Sequence, residues 1–240
     1  MCGRYATSRS NADLSALFEA TDDTDGLEPD YNVAPTDPVP IVRVSQSAGG
    51  RVLSTARWGL VPAWAKDPKV GARMINARME TVASSKAFAQ SFARRRCLVP
   101  ADGWFEWLRT EGSKSKRPYF ITLGSGEPCV FAGLWTVWGK DEGRLLTCSI
   151  LTEPAVGDLA LIHDRMPLLL PPERWAAWLS AEPSEALLEP TPPSHVARLE
   201  LRPVGARVGD VRNDGPGLVE RVAAPPLRLS DVDPIDLTLF

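Results

Sequence analysis

The sequence predicts an α+β domain built on a largely antiparallel, barrel-like β core with peripheral helices. Two observations carry that expectation. Apolar, β-rich runs outnumber amphipathic helical segments, and the two do not alternate as a parallel α/β sheet would require. Polar or glycine-containing turns separate neighbouring runs at short intervals, which suits antiparallel neighbours. With 240 residues, 44% hydrophobic and 24% charged, the chain is long enough to bury a substantial core.

The elements follow in order. "NADLSALFE", from Asn11 to Glu19, puts Leu14, Leu17 and Phe18 on one helical side, with Asn11 as the cap. "VPIVRVSQ" and "RVLSTARWGLV" are hairpin strands across the Gly49-Gly50 turn. "SKAFAQSFARRR" is a short amphipathic helix. Four β-rich runs come next, "CLVPADGWFEWLR", "RPYFITL", "CVFAGLWTVW" and "LLTCSILT". "PPERWAAWL" is a helix with prolines in its first turn, and "SHVARLELRPV" a late strand. No internal repeat is visible. Residues 1–222 form the expected domain and 223–240, rich in proline and acidic residues, a flexible tail.

The net charge of −3 conceals a division. From Ile41 to Phe120 there are 15 basic and 5 acidic residues, a local charge of +10, which leaves −13 elsewhere. An electropositive face on an acidic protein suits a phosphate chain, although a solvated basic surface has the same composition. Cys2, Cys97, Cys129 and Cys148 form no CxxC pair and are expected to be thiols. With only His163 and His195 besides, no metal site and no cofactor are expected. No apolar run reaches transmembrane length and the N-terminus lacks a signal-peptide pattern. A cytoplasmic monomer without membrane contact is the expectation.

The opening "MCGRYATS" puts a cysteine directly behind the initiator methionine. Removal of Met1 would leave Cys2 with a free α-amine beside its thiol, two nucleophiles on adjacent carbons. Four further segments stand out. "YNVAPT" is a turn around Pro35; "INARMET" sets Asn76, Arg78 and Glu80 on one face if extended. "PADGWFEW" puts Glu106 between Phe105 and Trp107, and "IHDRMP" places His163 beside Asp164 and Arg165. Taken singly, each has an ordinary structural explanation, such as a surface glutamate or a hydrogen-bonding histidine.

Together, "MCGRY", "YNVAP", "WGLVPAW", "INARMET", "CLVPADGWFEW", "IHDRMP" and "VGDVRND" resemble, in order, the SOS-response-associated peptidase (SRAP) family. The resemblance runs from Cys2 to about Leu218 and identifies the chain as similar to bacterial members. It implies an SRAP-type domain that senses abasic sites in single-stranded DNA. It also implies a covalent thiazolidine cross-link through Cys2 that shields the lesion in the SOS response to DNA damage. The enzyme class would be a cross-linking or lyase-type activity, with a hydrolase (peptidase) family name. Nucleoid association follows from that target.

Residue by residue, the resemblance gives Asn76 the task of holding the Cys2 end and the sugar. Glu106 would shuttle protons, its pKa raised by its aromatic neighbours, and His163 would act as acid or base at the sugar. Arg4, Arg78, Arg165 and Lys86 would contact flanking phosphates, Thr152 and Pro35 would line the pocket, and Trp64 would stack on a base. Two departures stand out: Ala65 where relatives commonly carry a second aromatic, and Glu153, which would put negative charge near the DNA channel unless it points away.

The competing readings are a thiol autoprotease using Cys2 and a non-covalent reader of modified bases. A class II glutamine amidotransferase also begins with an exposed Cys, but the other six motifs have no place there. The final "DLTLF" resembles a sliding-clamp peptide through Leu237, Leu239 and Phe240, with Asp236 where Gln is preferred.

Overall fold

The computed structural model describes residues 2–109, 116–140, 143–180, 185–225 and 227. Thirteen strands are present among them. They are β1 (Tyr5–Thr7), β2 (Thr21–Asp23), β3 (Asp30–Val33), β4 (Pro38–Ser45), β5 (Gly50–Trp58), β6 (Asn76–Arg78) and β7 (Arg96–Ala101). The remainder are β8 (Gly103–Arg109), β9 (Lys116–Leu123), β10 (Cys129–Trp138), β11 (Leu145–Pro154), β12 (Arg165–Pro167) and β13 (Leu199–Pro203). Four short helices accompany them, α1 (Asn11–Phe18), α2 (Ala89–Arg94), α3 (Pro172–Leu179) and α4 (Pro193–Val196).

The β-rich runs do close into a barrel. β5, β4, β7, β10 and β11 pair antiparallel in that order, and β11 returns to β5 in parallel through Thr147–Arg57 and Cys148–Trp58. A second sheet, ordered β13-β9-β8-β1-β3, lies alongside. Alternation sorts the barrel side chains. Ile41, Trp58, Cys97, Phe131, Cys148 and Ile150 share one buried cluster, which also holds Cys2 and, from the second sheet, Tyr5 and Trp104. Val42, Leu53, Leu98, Ala132 and Leu151 share the other, together with helix residues Leu14, Phe18, Phe92 and Trp178. Leu227, beyond the 222 boundary, packs partly buried against the first cluster. Leu237, Leu239 and Phe240 lie outside the described residues.

Several local expectations need correction. Ser10, not Asn11, caps α1, its hydroxyl accepting from the Asp13 N–H at 3.1 Å. Leu17 is 41% exposed, so the buried side of that helix is Leu14 and Phe18. "SHVARLELRPV" is a helical turn followed by a strand, because Pro193 starts α4 and pairing with β9 begins only at Leu199. The run "CLVPADGWFEWLR" splits at Asp102 into β7 of the barrel and β8 of the second sheet. There the Asp102 N–H donates to the Ala6 carbonyl at 2.7 Å and its carboxylate accepts from the Ser8 N–H at 2.6 Å. Gly103 follows because a Cβ there would lie 2.3 Å from the Ile121 carbonyl oxygen. This crossing puts Glu106 in the second sheet, directly after a barrel strand.

Candidate active site

Cys2 leads into β1, which is held between β8 and β3 through Tyr5–Trp104 and Tyr5–Val33. Under it the rings of Tyr5, Trp58, Phe131 and Trp104 meet edge to face, with centroids 5.0–6.0 Å apart. Cys2 is therefore buried, against the usual behaviour of a chain end. The Asn76 side-chain amide donates to the Cys2 carbonyl at 2.7 Å. Asn76 stands at that point because β6 pairs in parallel with β11, Asn76 beside Ile150 and Arg78 beside Thr152. The expected alternation ends at Arg78, and Glu80 lies in the turn beyond.

Glu106 is buried at 5% exposure, and its Oε1, like the Oδ1 of Asn76 and the Tyr5 hydroxyl, has no hydrogen-bond partner among the described residues. Burial raises its pKa to about 7; the chain's amino-terminal charge pulls down and Asp164 pushes up. Burial also pushes the Cys2 thiol far above its ordinary range, with the Glu106 charge adding to the effect. The thiol is thus neutral and within electrostatic reach of a carboxyl poised near neutrality. The orphaned oxygens of Asn76 and Glu106 suit a ligand that brings hydroxyl or amine donors.

His163 is half-buried, and two groups compete for its Nδ1. The Arg165 N–H donates to it at 3.0 Å, which needs a lone pair there, whereas the Asp164 carboxylate lies 2.7 Å away and needs a proton. The imidazole therefore has an Nδ1 partner in either charge state. Arg165 is gripped by Glu80, its Nη1 and Nη2 donating at 2.5 and 3.0 Å, and Nη2 also reaches the buried Thr152 carbonyl at 2.6 Å. That arrangement holds the Glu80 carboxyl below its usual range. Glu80, noted only as part of a motif, is the residue that sequence reasoning left without a role.

Other expected site residues sit differently. Arg4 turns inward, donating from Nη1 to the Asn32 side chain at 2.7 Å and the Val208 carbonyl at 3.0 Å, with Trp107 5.9 Å away. Its guanidinium ties the start of the chain to β3 and to the turn at Val208. Pro35 is half-buried in the turn before β4, next to Thr36, whose φ of +83° is unusual for a β-branched residue. The Thr36 N–H donates to the Trp58 carbonyl at 2.8 Å and holds that turn against β5.

Trp64 stands out at 57% exposure, with the Lys86 ammonium 5.6 Å from its ring. Arg78 is also exposed. The loop carrying Trp64 starts at Gly59 (φ +125°), where a Cβ would lie 2.5 Å from the Gly71 oxygen. Ala65 is tucked in, its carbonyl accepting from the Trp138 indole at 2.8 Å. Glu153 puts no charge on the surface: it is buried, accepts from the Thr191 N–H and hydroxyl, and is raised by burial.

Residues 1–211 match the family described as SOS response associated peptidase (SRAP). The chain is 35% identical over 228 residues to the abasic site processing protein YoqW of Bacillus subtilis, covering 92% of this chain and 99% of that one. It is 33% identical over 238 residues to YedK of Escherichia coli, another abasic site processing protein, covering 92% and 100%. A crystal structure of a protein from Bacteroides thetaiotaomicron shares the fold, with a TM-score of 0.77 at 24% identity over 92% of this chain and 100% of that one.

Proposed function

Because the chain belongs to the SOS response associated peptidase (SRAP) family, we propose that it captures abasic sites in single-stranded DNA as a thiazolidine on Cys2 after loss of Met1. The observation that carries this reading is the juxtaposition at Cys2. One side chain, Asn76, fixes its carbonyl, and a buried carboxyl with a pKa of about 7, Glu106, acts on its thiol electrostatically.

The chemistry follows from the groups present. The α-amine, with an ordinary pKa of about 7.7–8, adds as a neutral base to the C1′ aldehyde of the ring-opened sugar. The carbinolamine loses its hydroxyl as water when protonated Glu106 donates a proton, leaving an iminium. Glu106, now a carboxylate, takes the proton from the neutral Cys2 thiol as sulfur closes on C1′. The sum is one aldehyde and one aminothiol giving one thiazolidine and one water, with Glu106 returned to its acid form. A carboxyl with pKa near the working pH is suited to both transfers.

Arg78, Lys86 and Trp64 supply exposed cations and a stacking face for the strand around the lesion. Leu237, Leu239 and Phe240 are retained as a sliding-clamp peptide, and unchanged clamp capture after deletion of the last five residues would remove that part.

The test is a denaturing gel of the protein incubated with an oligonucleotide bearing one abasic site. A heat-stable shifted band, absent for Cys2→Ala, is expected. Cys2→Ser should be trapped only with borohydride, as it cannot close the sulfur ring. No band from wild-type protein with a mature Cys2 terminus would end the reading.

A further inference from the structure

Away from Cys2, Arg43, Arg95, Trp135 and Leu146 form a mixed cationic and apolar group that includes the start of β11. Trp135 and Leu146 pack partly buried on the same cluster that holds Cys2. Two guanidiniums rest against the one indole, Arg43 at 5.1 Å and Arg95 at 5.7 Å from the ring centroid. Each is oriented by a neutral hydroxyl: Arg43 Nε donates to Ser54 Oγ at 3.2 Å and Arg95 Nη1 to Thr136 Oγ1 at 2.9 Å.

Beside them opens a cleft of about 310 Å³ lined by Arg43, Trp135, Val137, Arg144 and Leu146. Of Arg43, Arg95 and Arg144, only Arg43 has a carboxylate partner among the described residues, the exposed Asp23 at 3.6 Å. The cleft thus combines Arg43 and Arg144, the latter with no carboxylate partner among the described residues, with an apolar wall, at the size of a small-ligand site. Stacked guanidiniums present N–H edges that match phosphate oxygens, and the indole, Val137 and Leu146 form a surface for a sugar or base. None of these residues belongs to the Cys2 site, whose Thr152 lies in the later half of β11 and whose Asn76 and Arg165 pair with that half.

We propose that this cleft is a second nucleic-acid contact, taking a phosphodiester and its nucleoside from single-stranded DNA at a distance from the lesion. The inference rests on the reading that the ligand at Cys2 is single-stranded DNA. It assigns the Arg43–Trp135–Arg95 stack and Arg144 to strand retention, not to chemistry.

The experiment compares wild type with Arg43→Gln/Arg144→Gln and with Arg144→Glu alone, an exposed position where folding is not at risk. Anisotropy across a salt series uses lesion-free single strands of about five and about thirty nucleotides, below and beyond the span of one site. Cross-linking is read in parallel on the short strand with one abasic site. Each lost phosphate contact should reduce the salt slope on the long strand by about 0.7, while cross-linking to the short strand stays unchanged. An unchanged slope and affinity on the long strand, with cross-linking intact, overturns the second contact and leaves the reading of Cys2 standing. Loss of long-strand affinity in the variants, with no cross-link even in wild type, supports this surface and overturns the Cys2 chemistry.

Discussion

The Asn76 side-chain amide and the Cys2 carbonyl are joined by a 2.7 Å hydrogen bond across 74 residues of chain. It is the contact that orients a chain end which would otherwise fray. Misplacing a reacting group by about 1 Å can cost about 10²-fold. Asn76→Ala should therefore slow cross-linking roughly tenfold to a hundredfold in single-turnover gels while leaving DNA affinity nearly intact. Equal rates would show that the bond does not orient Cys2.

Glu106 gives a pH signature of definite sign. Its folded pKa of about 7 exceeds its ordinary value near 4.5, so between these the native state holds a proton that the unfolded chain does not. Stability contributed at low pH is lost as pH rises from about 4.5 to 7, by on the order of 3 kcal/mol. Glu106→Gln should be about neutral at pH 5 and more stable than wild type above pH 7 in urea titrations. The same substitution should slow cross-linking by about 10²-fold and erase the rate break near pH 7.

Glu80 occupies the donors through which Arg165 would meet a phosphate. Glu80→Gln removes a competing anion, so single-stranded DNA should bind more tightly at low salt, with a salt slope steeper by about 0.7. Weaker binding in an anisotropy titration would instead mean that Glu80 holds Arg165 in its productive position.

Trp64 and Lys86 should separate by their salt response. Trp64→Ala is expected to cost about 1–3 kcal/mol of single-strand affinity with the slope unchanged, because stacking releases no counterions. Lys86→Gln should lower the slope by about 0.7. A Trp64→Ala variant with unaltered affinity would take the exposed indole out of the DNA surface.

Trp58 tests the frame under Cys2. It is fully buried, stacks edge-on against Tyr5 at 5.0 Å and donates from Nε1 to the Ile75 carbonyl at 3.0 Å, one residue before Asn76. Trp58→Ala should cost about 3–5 kcal/mol in the denaturant midpoint. Cross-linking of the fraction still folded should fall too, since the support of the Asn76 segment is lost.

Much was legible from sequence because the signals were local. Alternating apolar runs, the Gly49-Gly50 turn and the proline-led helix at Pro172 each reflect short-range geometry, and the barrel follows from them. The motifs likewise named Cys2, Asn76, Glu106 and His163 as chemistry-bearing residues. Local signals misled where long-range pairing or sterics decided: the strand switch at Asp102, the outward Leu17, and the short strand that leaves Glu80 in a turn.

The sequence by itself determined the chemical inventory, an aminothiol-capable Cys2 with a glutamate set among aromatics and a strongly basic middle third. Only the tertiary structure decided protonation and availability. Burial depends on which elements pack over a group, and that packing placed Glu106 near 7 and kept the Cys2 thiol neutral. Hydrogen-bond partners distant in sequence turned Arg4 inward, locked Arg165 to Glu80 and hid Glu153 against Thr191, while Trp64 stayed exposed. Charge and residue type are written along the chain, but desolvation and partner geometry exist only once it has folded.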